Sequence, residues 1–355
     1  MITQTIVLLY IGGKFEGENN IMRHRISVLL WLLASWICIY TTHSFANEEK
    51  VQGIMGNTST GETLTTHAEH HGLKRNLGYS NFLEEWLTPW KPYVEDEIQA
   101  PRVPLLRITP AFFKREVRFN YIYVDDEHQG EADVNEWGLA LELPLTLRFK
   151  LDIEPKVLHA DTAKHGESAG FGDTKLALRA MLLESETFSL STGSVINVPT
   201  GDEDRELGEG ITTVGQQLAY WMDMGHRVSI HTFLGVDVPT GGNHRKDADM
   251  DFLYGVALSK TITIKENPCI HGITPFIELN GHKEFGLDKS EDEHKAEDES
   301  EHKAEGIGEK YMVDILPGVR FDLPHELYVL AGFEIPLNGT EEFDKRVWFS
   351  IIKDF

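Results

Sequence analysis

The sequence is poor in cysteine, with two residues in a chain of 355. Cys38 lies in an apolar stretch that we expect to be removed during export, so Cys269 alone would remain in the mature protein. No intramolecular disulfide can then form, and cysteine alone cannot build a metal site. The fold must be held together by other interactions.

Long apolar runs and cations are scarce as well. After residue 46 the chain has no run of the roughly 20 apolar residues that a membrane-spanning helix needs. The 33 Lys and Arg residues face 57 Asp and Glu residues, which gives a formal net charge of −24. A chain of this charge repels nucleic acid and anionic lipid surfaces, so neither is an expected partner.

The first 46 residues have the order of a secretory signal. A basic start at Met22-Arg23-His24-Arg25 precedes an apolar run from Ile26 to Tyr40, and small or polar residues then lead to Ala46. This order predicts a signal peptide region over 1–46, with translation starting at Met22 and cleavage after Ala46. An uncleaved membrane anchor is the alternative, but the run is shorter than a spanning helix needs.

Alternation of apolar and polar residues dominates the chain after residue 114. Phe149, Leu151 and Ile153 alternate with Lys150, Asp152 and Glu154, which predicts a strand with one apolar and one charged face. About twelve such segments follow, each near the roughly 9–11 residues of a tilted transmembrane strand. The predicted strands cover residues 115–124, 136–145, 148–158, 172–183, 187–198, 212–222, 227–238, 251–262, 273–283, 311–321, 327–337 and 347–355.

The connections between these strands alternate in length. Turns such as Glu184-Ser185-Glu186 are short, whereas the acidic connection from Asp125 to Glu136 is predicted to be a long loop. Short turns on one side and long loops on the other are typical of bacterial outer-membrane barrels. The connection at 265–272 is the exception, because it should be short and is not.

We therefore predict an all-β fold, a transmembrane antiparallel β-barrel of about 12 strands over 111–355, with an acidic extracellular loop at 286–310. Residues 47–110 are predicted to be a periplasmic N-terminal leader with a short helix at Asn81–Leu87, which would plug the barrel, rest on its rim or stay loosely held. A soluble β-sandwich is the competing fold, since it also alternates. Closure into a barrel hides the strand edges that lipid cannot satisfy.

The end of the chain favours the barrel. Val347, Phe349, Ile351 and the terminal Phe355 share one strand face, although Lys353 departs from that pattern. This strand resembles the signature by which bacterial barrel-assembly machinery recognises its substrates. That machinery and outer-membrane lipid are therefore expected partners, and the bacterial outer membrane is the expected location.

Three strand ends share a repeat: Val198-Pro199-Thr200-Gly201, Val238-Pro239-Thr240-Gly241 and Ile335-Pro336-Leu337-Asn338-Gly339. Together with Gly170-Phe171-Gly172-Asp173-Thr174-Lys175-Leu176, these segments resemble the outer-membrane family described as putative MetA-pathway of phenol degradation. The resemblance implies a barrel that acts as a channel or transporter for small organic compounds, with hydrophobic or aromatic solutes among the candidates. It brings no catalytic residues.

If the apolar rows face lipid, the opposite rows line the lumen. Both signs of charge are present there, so the interior is predicted to be either a wet channel or a salt-bridged plug. The lumen-lining candidates are Arg118, Glu142, Lys150, Asp152, Glu154, Lys156, Asp173, Lys175, Arg179, Glu278, Asp314, Arg320 and Glu334.

Two other functions stay open. A structural or adhesive barrel would display the acidic loops without transport. An outer-membrane lipid hydrolase would need a serine and a histidine on the outer wall, and Ser229 and His231 share one strand face, but it is the more polar one and no accompanying motif follows. We therefore predict that the protein is not an enzyme and uses no cofactor.

Histidines occur in two groups that suit weak metal binding: His67, His70 and His71, and the repeats Glu293-His294-Lys295-Ala296-Glu297 and Glu301-His302-Lys303-Ala304-Glu305. The repeats lie in a charged stretch with almost no apolar residues. Runs of this composition are usually solvated and disordered, so we predict no metal site.

Overall fold

The computed structural model describes residues 76–78, 82, 85–127, 132–162, 166–242, 245, 248–285, 311–338 and 343–355. Every described residue belongs to one compact unit, residues 69–355. No helix in the described part of the chain has the length and apolar character needed to cross a membrane. The predicted signal region, the leader histidines and the acidic loop 286–310 lie outside the described residues.

Fifteen strands of the described residues form one antiparallel sheet, and it closes because the first strand pairs with both the second and the last. The strands are β1 (Glu116–Glu127), β2 (Ala132–Pro144), β3 (Phe149–Glu154), β4 (Lys156–Thr162), β5 (Gly166–Phe171), β6 (Thr174–Glu184), β7 (Phe188–Val198), β8 (Ile211–Asp223), β9 (Val228–Gly242), β10 (Met250–Lys260), β11 (Ile262–Thr263), β12 (Gly272–Phe285), β13 (Tyr311–Leu323), β14 (Leu327–Pro336) and β15 (Lys345–Asp354). A one-turn 3₁₀ helix spans Glu203–Arg205.

The fifteen strands make a barrel of twelve. Strands β3 and β4 are separated only by Pro155 and both pair with β2, so they form one interrupted barrel strand. Strands β5 and β6 form another, because β5 pairs with β4 and β6 pairs with β3. The two-residue β11 pairs only with β12. The predicted all-β barrel of twelve antiparallel strands is therefore confirmed.

Side-chain burial alternates along the strands. Leu139, Leu178 and Val256 point outward, with exposed fractions between 44% and 51%, whereas Lys150 and Glu278 on the opposite faces are fully buried. Successive side chains of a strand point to opposite faces, so one apolar row in each strand builds an apolar exterior. The charged rows are left inside.

Two local predictions differ from the structure, and the structure gives a reason for the long connection at 265–272. Most of the predicted loop from Asp125 to Glu136 is strand, since β1 continues to Glu127 and β2 begins at Ala132. The exceptional connection at 265–272 lies beyond β11, whose pairing lengthens the β10–β12 hairpin. In the predicted helix Asn81–Leu87, the described residues 82 and 85–87 adopt turns and bends, and Glu85 has a φ of 65°, which is not helical.

Candidate channel interior

Residues 103–113, here called the inserted segment, lie inside the barrel. Just before them, the Arg102 guanidinium donates to the backbone carbonyl of Ser185 in the β6–β7 turn, at 2.6 Å. Just after them, the Lys114 amine lies 3.2 Å from Asp354, and the Phe355 amide donates to the Arg115 carbonyl. Both ends of the inserted segment therefore lie at the short-turn end of the barrel.

Aromatic rings hold the entry of this segment. The Arg102 guanidinium lies 3.6 Å from the Tyr93 ring centroid and 4.6 Å from that of Trp221. Burial raises the pKa of the Tyr93 phenol. A cation between two rings is attracted by both π faces, which anchors Arg102 at the rim.

Prolines explain why this segment is not a thirteenth strand. Pro101, Pro104 and Pro110 each lack the backbone N–H that a sheet ladder needs, and residues 101–115 contain no strand. The apolar side chains between them are buried instead against the barrel wall. Leu105 packs in a cluster with Phe276 and Leu316, and Phe112 packs edge-to-face on Trp221 with ring centroids 6.2 Å apart.

Charged groups hold the tip of the inserted segment. The Glu278 carboxylate accepts three backbone N–H groups, from Leu106 at 2.9 Å, Arg107 at 3.1 Å and Ile108 at 3.0 Å. The Arg107 guanidinium donates to Asp314 at 2.8 Å and also to Glu334. The tip thus supplies hydrogen-bond donors to three carboxylates of the wall, each of them 0% exposed.

A cavity of about 500 Å³ lies between this tip and the long-loop end of the barrel. Its floor is formed by residues 106–110, and its walls are rich in charges of both signs. The charged residues that line it are Arg107, Arg118, Glu136, Glu142, Lys150, Asp152, Glu154, Lys156, Asp173, Lys175, Arg179, Glu209 and Arg346. The interior therefore offers a nearly charge-balanced surface, although the chain is strongly acidic.

An ion-pair chain crosses four strands of the cavity wall. Arg118 lies 2.7 Å from Glu116 and 3.6 Å from Glu142, and Glu142 also pairs with Lys150. Lys150 lies 3.3 Å from Asp152, which pairs with Arg179. Charges of opposite sign on neighbouring strands compensate each other, as buried charges require.

The remaining candidates lie nearer the long-loop end and form local contacts. Lys175 lies 2.9 Å from Glu154, and Lys156 lies 3.2 Å from Glu136. The Asp173 carboxylate accepts the backbone N–H groups of Gly201 and Glu209, which ties down the connection after β7.

Arg320 is the one candidate that neither lines the cavity nor contacts the inserted segment. Its guanidinium lies 2.7 Å from Asp322 and 3.8 Å from the Tyr328 ring centroid, near the short-turn end. Of the thirteen candidates, nine line the cavity, and Glu278, Asp314 and Glu334 hold the tip.

Ser229 and His231 lie inside the barrel. Ser229 Oγ is 3.2 Å from His231 Nε2 and 2.7 Å from Ser259 Oγ, and the imidazole packs against Phe112. His231 Nδ1 has no hydrogen-bond partner among the described residues, so no carboxylate orients the ring there. A hydrolase of the type considered needs that orienting group and access from the outer wall.

The sequence prediction did not include Arg107 or Arg102. Their signal was the apolar run Val103-Pro104-Leu105-Leu106, followed by Ala111-Phe112-Phe113, at the boundary between the predicted leader and the predicted barrel. Apolar residues that cannot join a sheet must be buried elsewhere. Among the described residues, no group of three or more His, Cys, Asp or Glu side chains is arranged to hold a metal ion.

In a closed antiparallel barrel, every strand pairs with two neighbours, so the backbone groups form hydrogen bonds without water. This barrel also has an apolar exterior and a charged interior. That combination defines an outer-membrane β-barrel, here with a chain segment inserted in its lumen. The family model described as "Putative MetA-pathway of phenol degradation" matches residues 117–303, more than half of the chain. The chain belongs to this family, as its strand-end repeats predicted.

Solved outer-membrane barrels resemble the chain in fold. The COG4313 outer membrane channel from Pseudomonas putida F1 is 13% identical with a TM-score of 0.46, covering 71% of this chain and 99% of that one. The NanC porin is 10% identical with a TM-score of 0.42, covering 68% and 99%. LpxR from Salmonella typhimurium is 10% identical with a TM-score of 0.41, covering 68% and 100%. Likeness at this level assigns no function, and no curated protein matches the chain significantly.

Proposed function

We propose that the protein is an outer-membrane channel for small polar organic solutes, which enter from the long-loop end. The observation that carries this proposal is the charged cavity of about 500 Å³ inside the barrel. Short turns of bacterial barrels face the periplasm, which puts the cavity on the outer side and the inserted segment on the periplasmic side. The volume is that of a pocket for a small molecule.

The cavity wall favours polar over apolar solutes. An apolar solute would displace water from ionised groups such as Lys156 and Lys175 without offering them hydrogen bonds, which is unfavourable. A polar or ionised solute replaces that water with bonds of its own. The hydrophobic or aromatic solutes that the family resemblance suggests would therefore need a polar group to be accepted.

Single-channel recording tests this function. We expect the refolded protein to give resolved current steps in planar bilayers, because the interior is charged and wet above the inserted segment. Proteoliposomes should swell faster in an isotonic solution of a small amino acid than in one of a trisaccharide. If neither the wild-type protein nor any of its variants gave current steps, the alternative function would be favoured, a structural barrel that displays acidic loops.

A further inference from the structure

Three buried carboxylates lie together on neighbouring strands at the cavity floor. Glu278 belongs to β12, Asp314 to β13 and Glu334 to β14, and each is 0% exposed. Arg107 bonds Asp314 and Glu334, and Arg346 approaches Glu334 at 3.8 Å. Buried anions are stable only when cations or hydrogen-bond donors compensate them, so this trio depends on Arg107 and on the amides beside it.

Arg107 can be reached from the cavity. Its side chain is 25% exposed and forms part of the cavity floor, whereas its two carboxylate partners are fully buried. A cation in the cavity would therefore meet the edge of this ion-pair cluster. The carboxylates, in contrast, can bind a new cation only where Arg107 now binds.

The wall behind the inserted segment carries buried hydroxyl groups as well as apolar side chains. Buried hydroxyl groups of Ser189, Ser191, Ser229 and Ser259 lie on β7, β9 and β10, close to the level of Phe112 and Trp221. Ser189 Oγ and Ser191 Oγ have no hydrogen-bond partner among the described residues. Hydroxyl groups without a protein partner suit a wall that water can reach when the segment withdraws.

We propose that Glu278, Asp314 and Glu334 form a binding site for an organic cation of the guanidinium or ammonium class, which Arg107 occupies while the inserted segment closes the barrel. A cationic solute that reaches the cavity floor exchanges with Arg107 and releases the segment toward the periplasmic end. This inference rests on the proposed channel function and names its solute class. The net charge of −24 supports it, because an acidic protein attracts cations.

Methylguanidinium and methylurea are the matched probes, since they have nearly the same shape and only the first is charged. We expect millimolar methylguanidinium on the long-loop side to raise the open probability of the wild-type channel by about tenfold, within the roughly 5–150-fold range of coupled sites. Methylurea should have no effect. Arg107→Gln should be open more often without a probe, and Asp314→Asn should respond more weakly to methylguanidinium.

A reversible tether separates the movement from the folding of these variants. A Cβ on residue 255 would lie 3.4 Å from Ile108 Cγ1, the position that a cysteine sulfur takes, and 2.8 Å from Asn280 Oδ1, which has to shift. Ile108→Cys with Gly255→Cys should then form a disulfide. The exposed Cys269 is replaced by serine in this background. We expect methylguanidinium to leave the open probability of the oxidised protein unchanged and to raise that of the reduced protein. The single Ile108→Cys variant cannot form the tether, so it should respond like the reduced protein.

The outcomes distinguish this inference from the proposed function. Current steps that are equal in the oxidised and reduced protein would show that solutes pass the segment in place, which overturns the inference and leaves the channel. An equal response to methylurea, or an unchanged response in Asp314→Asn, would overturn the cation site. Silence of every variant, the reduced tether included, would overturn both.

Discussion

Lys150 and Lys156 lie on the same polar face of one interrupted barrel strand but have different surroundings. The Lys150 side chain is 1% exposed and lies between Glu142 and Asp152. The Lys156 side chain is 41% exposed and has one partner, Glu136. Removing one member of a buried ion pair leaves an uncompensated charge, whereas an exposed pair contributes little.

We therefore expect Lys150→Glu to lower the free energy of unfolding by about 3–5 kcal/mol, because it places a third carboxylate beside two buried ones. Lys156→Glu should be tolerated and should shift ion selectivity toward cations. Urea unfolding in lipid vesicles measures the first effect, and the reversal potential in a salt gradient measures the second. Equal stability of the two variants would contradict the buried ion-pair chain.

For single residues, the sequence predicts the direction of a side chain where the backbone alone decides it. Phe149 to Glu154 alternate strictly, so their two faces could be assigned without knowing any neighbour. Which charges pair could not be predicted, because Lys150 has one partner, Glu142, on the neighbouring strand and another, Asp152, two residues along its own strand. Arg320 shows the limit: it is buried, yet it contacts Tyr328 and Asp322 near the short-turn end and does not line the cavity.

Among the elements, the inserted segment differs most from its sequence prediction. Its residues have neither the period of a strand nor that of a helix, and the contacts that hold its tip are with strands more than a hundred residues away, as between Arg107 and Asp314. Patterns along the chain do not encode such contacts. The twelve barrel strands, in contrast, repeat a local pattern that lipid on one side and charge on the other impose.

Substitution of Phe112 tests how packing keeps the inserted segment inside the barrel. The Phe112 ring is 1% exposed and contacts Trp221 and His231. Phe112→Ala removes most of that contact, at a cost of about 3–5 kcal/mol for a buried phenylalanine. We expect faster hydrogen exchange at amides 103–113 and unchanged exchange in β12 and β13. Leu87→Ala is the matched control, because Leu87 is 89% exposed and should leave exchange unaltered.

At the scale of the whole molecule, closure depends on one seam. Strands β1 and β15 pair over ten residues, with Phe119 opposite Ile351 and both side chains on the outer face. Facing residues of an antiparallel pair have Cβ atoms about 4.5–5.5 Å apart. In a Cys269→Ser background, Phe119→Cys and Ile351→Cys should therefore be joined by a short bifunctional thiol reagent.

The joined chain should migrate faster than the unjoined chain after boiling, because the link encloses most of the barrel in a covalent ring. The matched control combines Phe119→Cys with Leu258→Cys, an outward residue on β10. β10 is not a neighbour of β1, so the reagent should not join these two cysteines. Absence of the link at the seam would show an open sheet. Without boiling, the native protein should migrate as a folded barrel at its own distinct position.

The inserted segment enters and leaves the lumen at the same end, between Arg102 and Lys114. It is thus a loop rather than a thread, and no chain terminus has to pass through the ring of strands for it to go in or come out. A barrel of this topology can close first and take up the loop afterwards, or close around it, without forming a knot. Either order of assembly leads to the same protein, and a loop that was lost from the lumen after closure can return.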